Sequence, residues 1–244
     1  MKITAKTDVG KVRANNQDSY SAGEMSDGSA WAVVCDGMGG AAGGNIASTM
    51  AVKQISHSIE GCYRHDMRPS SIKNVLESAI TNANTAVYDR SVAEPSLSGM
   101  GTTCVAVIIV DSVAYIAHVG DSRAYLISKS GSIRRLTRDH SVVQNLIESG
   151  SLTPEEAEHY PGKNIITRAI GVEPDVRIDF LEETVSEDDI ILLCSDGLTN
   201  FLSDEEIKDI LLDSSGFEYS SRLVNDANDK GGGNNITVVT IAFD

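Results

Sequence analysis

Residues 103–136 read TCVAVIIVDSVAYIAHVGDSRAYLISKSGSIRRL. Four runs, Thr103–Val110, Val113–Val119, Arg123–Ile127 and Ile133–Leu136, are separated by Asp-Ser, Gly-Asp-Ser and Lys-Ser-Gly. Apolar and β-branched runs of this length, broken by turn-forming residues, predict an antiparallel meander. Outward from it, Ile3–Thr7, Ser19–Ala22, Ala30–Cys35, Val176–Leu181, Ile190–Cys194 and Ile236–Phe243 have the same strand character. Helical spacing lies elsewhere. Ala47, Ala51, Ile55 and Ile59 fall four apart within Gly43–Ile59, and Ile72, Val75, Leu76, Ala79, Ile80, Ala83 and Val87 form one apolar stripe within Ser71–Arg90. Ser70 or Ser71 can cap that second helix after Pro69. Glu205–Leu212 and Phe217–Asp229 also look helical.

Two helices early, many strands and two helices late predict an α+β fold. Its centre is a β-sandwich of two mostly antiparallel sheets, flanked by helices on both sides in α-β-β-α layers. No Pro/Gly/Ser-rich linker divides the pattern, so residues 1–244 are expected to form one domain. From His140 to Gly162 the chain turns polar, with helical fragments at Val142–Glu148 and Pro154–His159. A segment of that length inserted between strands is a candidate flap.

Composition narrows the function. The 244 residues carry 35 Asp plus Glu against 20 Lys plus Arg, a formal charge of −15. Such a surface repels phosphate backbones and anionic lipid, which argues against nucleic-acid or membrane partners and suits cations. The N-terminus lacks an apolar signal core, and the greasiest run stops at Asp111, too short for a bilayer. A cytoplasmic location is the expectation. Cys35, Cys62, Cys104 and Cys194 form no CxxC pair, and three of them sit in apolar runs as small buried hydrophobes.

The informative residues are aspartates where strands end. Asp36 follows AWAVVC and precedes Gly37-Met38-Gly39-Gly40; Asp121 follows YIAHVG; Asp196 follows IILLCS. Taken singly, each could be an ordinary turn residue. Gathered together, their charges need a cation, and oxygen ligands suit Mg²⁺ or Mn²⁺. Arg13 lies in a polar loop, and its guanidinium can grip phosphoryl oxygens as a fork. No D-x-[DN]-x-[DN]-G loop is present, which excludes an EF-hand calcium protein.

These pieces, in this order, resemble the metal-dependent protein phosphatases, the PPM or type 2C family in its compact bacterial form. The matching stretches are Asp8–Gly10, RANNQD (13–18), VVCDGMGG (33–40), GMGTT (99–103), VGDSRA (119–124), LTRDHS (136–141), ITRAIG (166–171), LCSDGL (193–198) and GGNNITV (232–238). The resemblance implies a protein serine/threonine phosphatase that hydrolyses phosphoserine and phosphothreonine with a metal-bound hydroxide. It implies two Mn²⁺ or Mg²⁺ ions, with a possible third. Asp36 would bridge the two ions, the Gly37 carbonyl would add a ligand, and Asp196 would hold the first. Asp121 with Asp196 would form the third site. Arg13 would clamp the phosphate, Asp18 would orient metal-bound water, and 140–162 would be the flap. Phosphorylated proteins made by a bacterial Ser/Thr kinase would be the substrates, and a monomer would suffice.

Two positions depart from the family pattern. Asn234 stands where an Asp normally holds the first metal, and an amide oxygen brings no charge. That leaves open a natural phosphatase with a weaker metal site, an engineered inactivating substitution, or a catalytically silent phosphoprotein-binding module on the same scaffold. Met38 stands where many eukaryotic relatives have His, so no general acid is assigned. Gln17 stands where Glu is also common in the family, and the resemblance implies that a neutral side chain there would soften the outer shell of the second metal; His118, inside a strand, reads as packing.

Overall fold

In the computed structural model, which describes residues 1–243, the strands sort into two antiparallel sheets. In chain order the elements are β1 (Lys2–Asp8), β2 (Asp18–Glu24), β3 (Ala30–Met38), α1 (Gly40–Cys62), α2 (Pro69–Ala93), β4 (Gly101–Thr102), β5 (Cys104–Val110), β6 (Val113–Val119), β7 (Arg123–Ser128) and β8 (Ser132–Arg135). There follow α3 (Val142–Glu148), α4 (Pro154–Glu158), β9 (Asp179–Thr184), β10 (Ile190–Cys194), α5 (Asp196–Thr199), α6 (Asp204–Leu212), α7 (Tyr219–Asp229) and β11 (Ile236–Ala242). One sheet runs β1-β11-β10-β7-β8; the other runs β2-β3-β5-β6-β9, with β4 paired to the end of β3.

Three apolar layers account for the stacking. Val34, Val105, Val107, Ile116, Ile191, Leu193, Val239 and Ile241 meet between the sheets. Their strand neighbours face outward: Val33, Ile108 and Tyr115 under α1 and α2, with Ile55, Ile59, Leu76 and Ile80. On the other side Tyr125, Leu192 and Val238 lie under α5–α7, with Leu198, Ile207 and Leu223. Central strands are therefore buried on both faces, which is why AWAVVC and IILLC run apolar without alternating. The layers are α-β-β-α, as the composition of elements implied.

The structure corrects three local expectations. Residues 103–136 do not form one meander. β5 and β6 pair in one sheet, whereas β7 and β8 pair in the other, with β6 joined to β9 and β7 to β10. The chain changes sheets at Gly120, whose φ is +106° and where an added Cβ would lie 2.7 Å from the Thr103 side chain. Tight turn residues signal a reversal but not which sheet receives the next strand. Second, the ninth strand begins at Asp179 rather than Val176, because Val176 and Ile178 pack on the helix-side core before the ladder starts at Asp179↔His118. Third, neither Ser70 nor Ser71 caps α2: Arg68 is the N-cap and Pro69 takes the first helical position. Among the described residues, no helix is long and apolar enough to cross a membrane.

Candidate metal centre

Strand pairing brings the aspartates together. Asp18 opens β2 directly opposite Asp36 of β3. The Asp36 peptide is fixed from the neighbouring strand: its N–H donates to Thr103 Oγ1 (2.9 Å), and its carbonyl accepts from Thr103 N (2.9 Å) and Thr102 Oγ1 (2.8 Å). Gly37 must be glycine, since a Cβ would lie 2.1 Å from the Gly44 carbonyl oxygen. Asp121 sits in the turn where the chain passes between sheets, and Asp196 begins α5 immediately after β10. Gly197 admits the Asn235 carbonyl oxygen to 1.8 Å of where its Cβ would be. Asn234 precedes β11.

The Arg13 loop is tied to the same C-terminal stretch. Asn235 Nδ2 donates to the carbonyls of Val9 (2.9 Å) and Asn15 (3.0 Å), while its Oδ1 accepts from Gln17 N (2.9 Å). Lys11 N donates to the Gly232 carbonyl at 2.7 Å. A cleft of about 520 Å³ results, lined by Arg13, Gln17, Asp36, Gly37, Met38, Thr103, Asp121, Asp196, Asn234 and Asn235, with Asn164 and Ile166 from beyond α4. Asp18 lies beneath its floor, 6 % exposed. The sequence reading missed Asn164, Ile166 and Asn235. Their signals were present for Asn235 in GGNNITV and for Ile166 at the head of ITRAIG, though no site role was read from either, while Asn164 reaches the cleft only through tertiary packing.

The acidic groups strain against one another. Burial first, then the charges of Asp18, Asp196 and Asp121, push the Asp36 carboxyl well above its ordinary range. Burial and then Asp196 raise Asp121 to about 7. Burial raises Asp18 to about 6 despite hydrogen bonds from Ser195 and Thr237. Ser195 Oγ reaches Asp18 Oδ2 at 2.7 Å, whereas Asp18 Oδ1 is buried with no partner. Two like charges about 4 Å apart cost roughly 4 kcal/mol at an effective dielectric of 20. One hydrogen bond to a charged group returns about 1.5–3 kcal/mol. Repulsion wins, so the cluster is completed by a cation or by protons. An all-oxygen donor set, with one buried carboxylate oxygen unpartnered, fits a hard divalent ion.

Asp196 is relieved differently. Asn234 Nδ2 donates to its Oδ1 (2.7 Å) and Asn200 Nδ2 to its Oδ2 (3.0 Å). The Asn234 amide thus presents nitrogen, not oxygen, to the carboxylate. His118 lies off the cleft, 1 % exposed, with Nε2 2.8 Å from the Arg138 carbonyl. Of the free cysteines, Cys35, Cys104 and Cys194 are buried and Cys62 is exposed.

The protein phosphatase 2C family model matches residues 10–230. The serine/threonine phosphatase stp of Listeria welshimeri is 38 % identical over 237 residues, covering 97 % of this chain and 93 % of the relative. The solved serine/threonine phosphatase of S. agalactiae superposes with a TM-score of 0.93 at 36 % identity, covering 100 % of this chain and 99 % of that one. A catalytic domain of the phosphatase PstP, solved in complex with two manganese ions, superposes with a TM-score of 0.85 at 33 % identity over 100 % of this chain and 98 % of that one.

Proposed function

The chain belongs to the protein phosphatase 2C family and is a protein serine/threonine phosphatase, and we propose that its acidic cleft is the hydrolytic centre. Asp36, the Gly37 carbonyl, Asp121, Asp196 and Asn234 would hold two Mn²⁺ or Mg²⁺ ions and a third. The observation that supports this reading is the convergence of Asp36, Asp121 and Asp196 on one cleft, with Asp18 buried opposite Asp36. When bound, such ions neutralise the carboxylates and acidify water enough to supply a nucleophile near neutral pH.

The chain's own groups do the remaining work. Arg13, on the rim, donates its guanidinium N–H bonds to the phosphoryl oxygens and orients phosphorus toward the floor. Its charge also offsets the negative charge that spreads over those oxygens as the ester bond breaks. Asp18 accepts from Ser195 on one oxygen and keeps the other, Oδ1, free to accept a water proton and fix that water's direction. No cysteine is needed as nucleophile, and the buried thiols of Cys35 and Cys194 are driven up by burial, away from the reactive thiolate. We read residues 1–244 as one phosphatase domain with 140–162 as its flap. Its substrates are phosphoproteins, and we assign their making to a Ser/Thr kinase of the same bacterial cytoplasm, with the phosphatase working as a monomer.

Asn234 gives weight to a second reading, a silent phosphoprotein-binding module. Its amide already satisfies Asp196, and it supplies one negative charge fewer than a carboxylate would. Phosphate release from a phosphothreonine peptide, titrated with Mn²⁺, separates the two. Release by this chain at raised Mn²⁺, and at lower Mn²⁺ in Asn234→Asp, is the expected result. Metal-independent peptide binding with no release from either protein would replace the enzyme by the module.

A further inference from the structure

His118, His140 and Asp179 form a cluster away from the cleft whose candidate ligand atoms lie within 4.8 Å of one another. Hydrogen bonding argues against a metal there. His140 Nδ1 accepts from Gly120 N at 3.0 Å, so the ring proton sits on Nε2, which faces Asp179 Oδ2 at 3.2 Å. Arg168 Nη1, 3.0 Å from the same Nε2, donates to Asp179 Oδ1 at 2.7 Å. A metal on Nε2 would force the proton onto Nδ1, against the Gly120 N–H, and would stand beside a guanidinium. His118 stacks on His140 with ring centroids 4.5 Å apart.

What the cluster does hold is a peptide. The His140 backbone N–H donates to the Gly120 carbonyl (2.9 Å) while its ring accepts the Gly120 N–H, so one residue closes both polar groups of Gly120. Gly120 is in the left-handed half of backbone space and is followed at once by Asp121. On its other side, the His140 carbonyl accepts from Thr167 N (2.8 Å), Ser141 pairs with Ile166, and Val142 N donates to the Ile165 carbonyl (2.9 Å). The same residue therefore touches the turn carrying Asp121 and the chain that brings Ile166 to the cleft.

We propose that His140 is a positioning residue: its imidazole, oriented by Asp179, which Arg168 in turn holds, fixes the Gly120–Asp121 turn and ties it to the root of the 142–165 segment. This rests on reading Asp121 as a metal ligand. Without the Nδ1 acceptor, the buried Gly120 N–H loses its partner, the turn loosens, and Asp121 no longer points reproducibly into the cleft.

The test compares His140→Asn, whose Oδ1 falls near the Nδ1 position, with His140→Gln, whose acceptor falls near Nε2, and with His140→Leu. Amide exchange of the metal-free proteins is the first readout. Gly120 should stay protected in His140→Asn and lose protection tenfold or more in His140→Gln and His140→Leu. Calorimetric Mn²⁺ titration should follow the same order, and the weakening by His140→Gln should largely vanish in an Asp121→Asn background. Unchanged Gly120 protection in His140→Gln, or equal damage from Asn and Gln, overturns the proposal; should the leucine variant fail to fold, this pair decides. Full additivity with Asp121→Asn reduces His140 to a structural role. If Asp121→Asn alone leaves Mn²⁺ binding unchanged, the ligand reading has failed instead, while the exchange result still judges the clamp.

Discussion

Two sets of buried or half-buried carboxylates occupy this protein, and they are built on opposite principles. Asp139 is gripped by Arg123 through Nε (3.0 Å) and Nη2 (2.7 Å), with Arg135 Nη1 at 3.6 Å. Asp179 is gripped by Arg168 and His140; burial opposes its charge, but those bonds prevail and hold it near 2. No arginine forms an ion pair with Asp18, Asp36 or Asp121 among the described residues, and all three are pushed upward. The first set is satisfied by the fold. The second is not: Asp36 and Asp121 line the cleft and Asp18 is buried behind them, which is the set proposed above to hold cations.

The comparison can be broken most severely at Asp36. Asp36→Asn should lower phosphopeptide turnover by about 10³-fold or more, because it removes the carboxylate shared by the proposed ions. In the metal-free protein the same change should raise the melting temperature, since the fold no longer has to suppress the ionisation of a carboxyl that is free to ionise in the unfolded chain. Loss of activity together with loss of metal-free stability would mean that Asp36 belongs to the satisfied set.

Arg123→Met attacks the other set. It leaves the buried Asp139 without its fork and should destabilise the protein by about 2–3 kcal/mol, somewhat below the range for fully buried pairs because Arg123 is partly exposed. Chemical denaturation measures this directly. A change under about 0.5 kcal/mol would show that Arg135 alone suffices.

Next in size is a pH effect. Asp121 is raised to about 7 from an ordinary carboxyl value of 3.8, so its charge costs the folded state nothing near pH 4 and progressively more as pH rises through 7. The melting gap between metal-free Asp121→Asn and its parent should therefore open from near zero at pH 4 to on the order of 5 °C at pH 8. His140, pushed down to about 4 by burial and by His118, titrates in both proteins and cancels. Saturating Mn²⁺ should reverse the gap. A gap that closes with rising pH contradicts the sign.

The smallest effect concerns the rim. Arg13→Ala should raise KM for a phosphopeptide about tenfold and leave metal-free melting within about 1 °C, since the side chain lines an open cleft. An unchanged KM would remove Arg13 from phosphate binding.

The strand runs, the glycines that accompany the acids, and the ordered motif blocks that place the chain in its family are all legible along the chain. Val33–Cys35 and Ile190–Cys194 announced themselves because strands covered on both faces must be apolar throughout. Asn234 was visible as a departure, but not that its amide nitrogen turns to Asp196. Packing between distant segments is what sends the chain from one sheet to the other at Gly120 and brings Asn164 and Ile166 to the lining of the cleft. It also decided that Asp139 and Asp179 meet arginines while Asp36 and Asp121 meet each other. The reason is range: apolar period and turn chemistry act within a few residues along the chain. Whether a buried carboxylate finds a cation or another carboxylate depends on strands that pair across more than a hundred residues, as Asp8 does with Ile236.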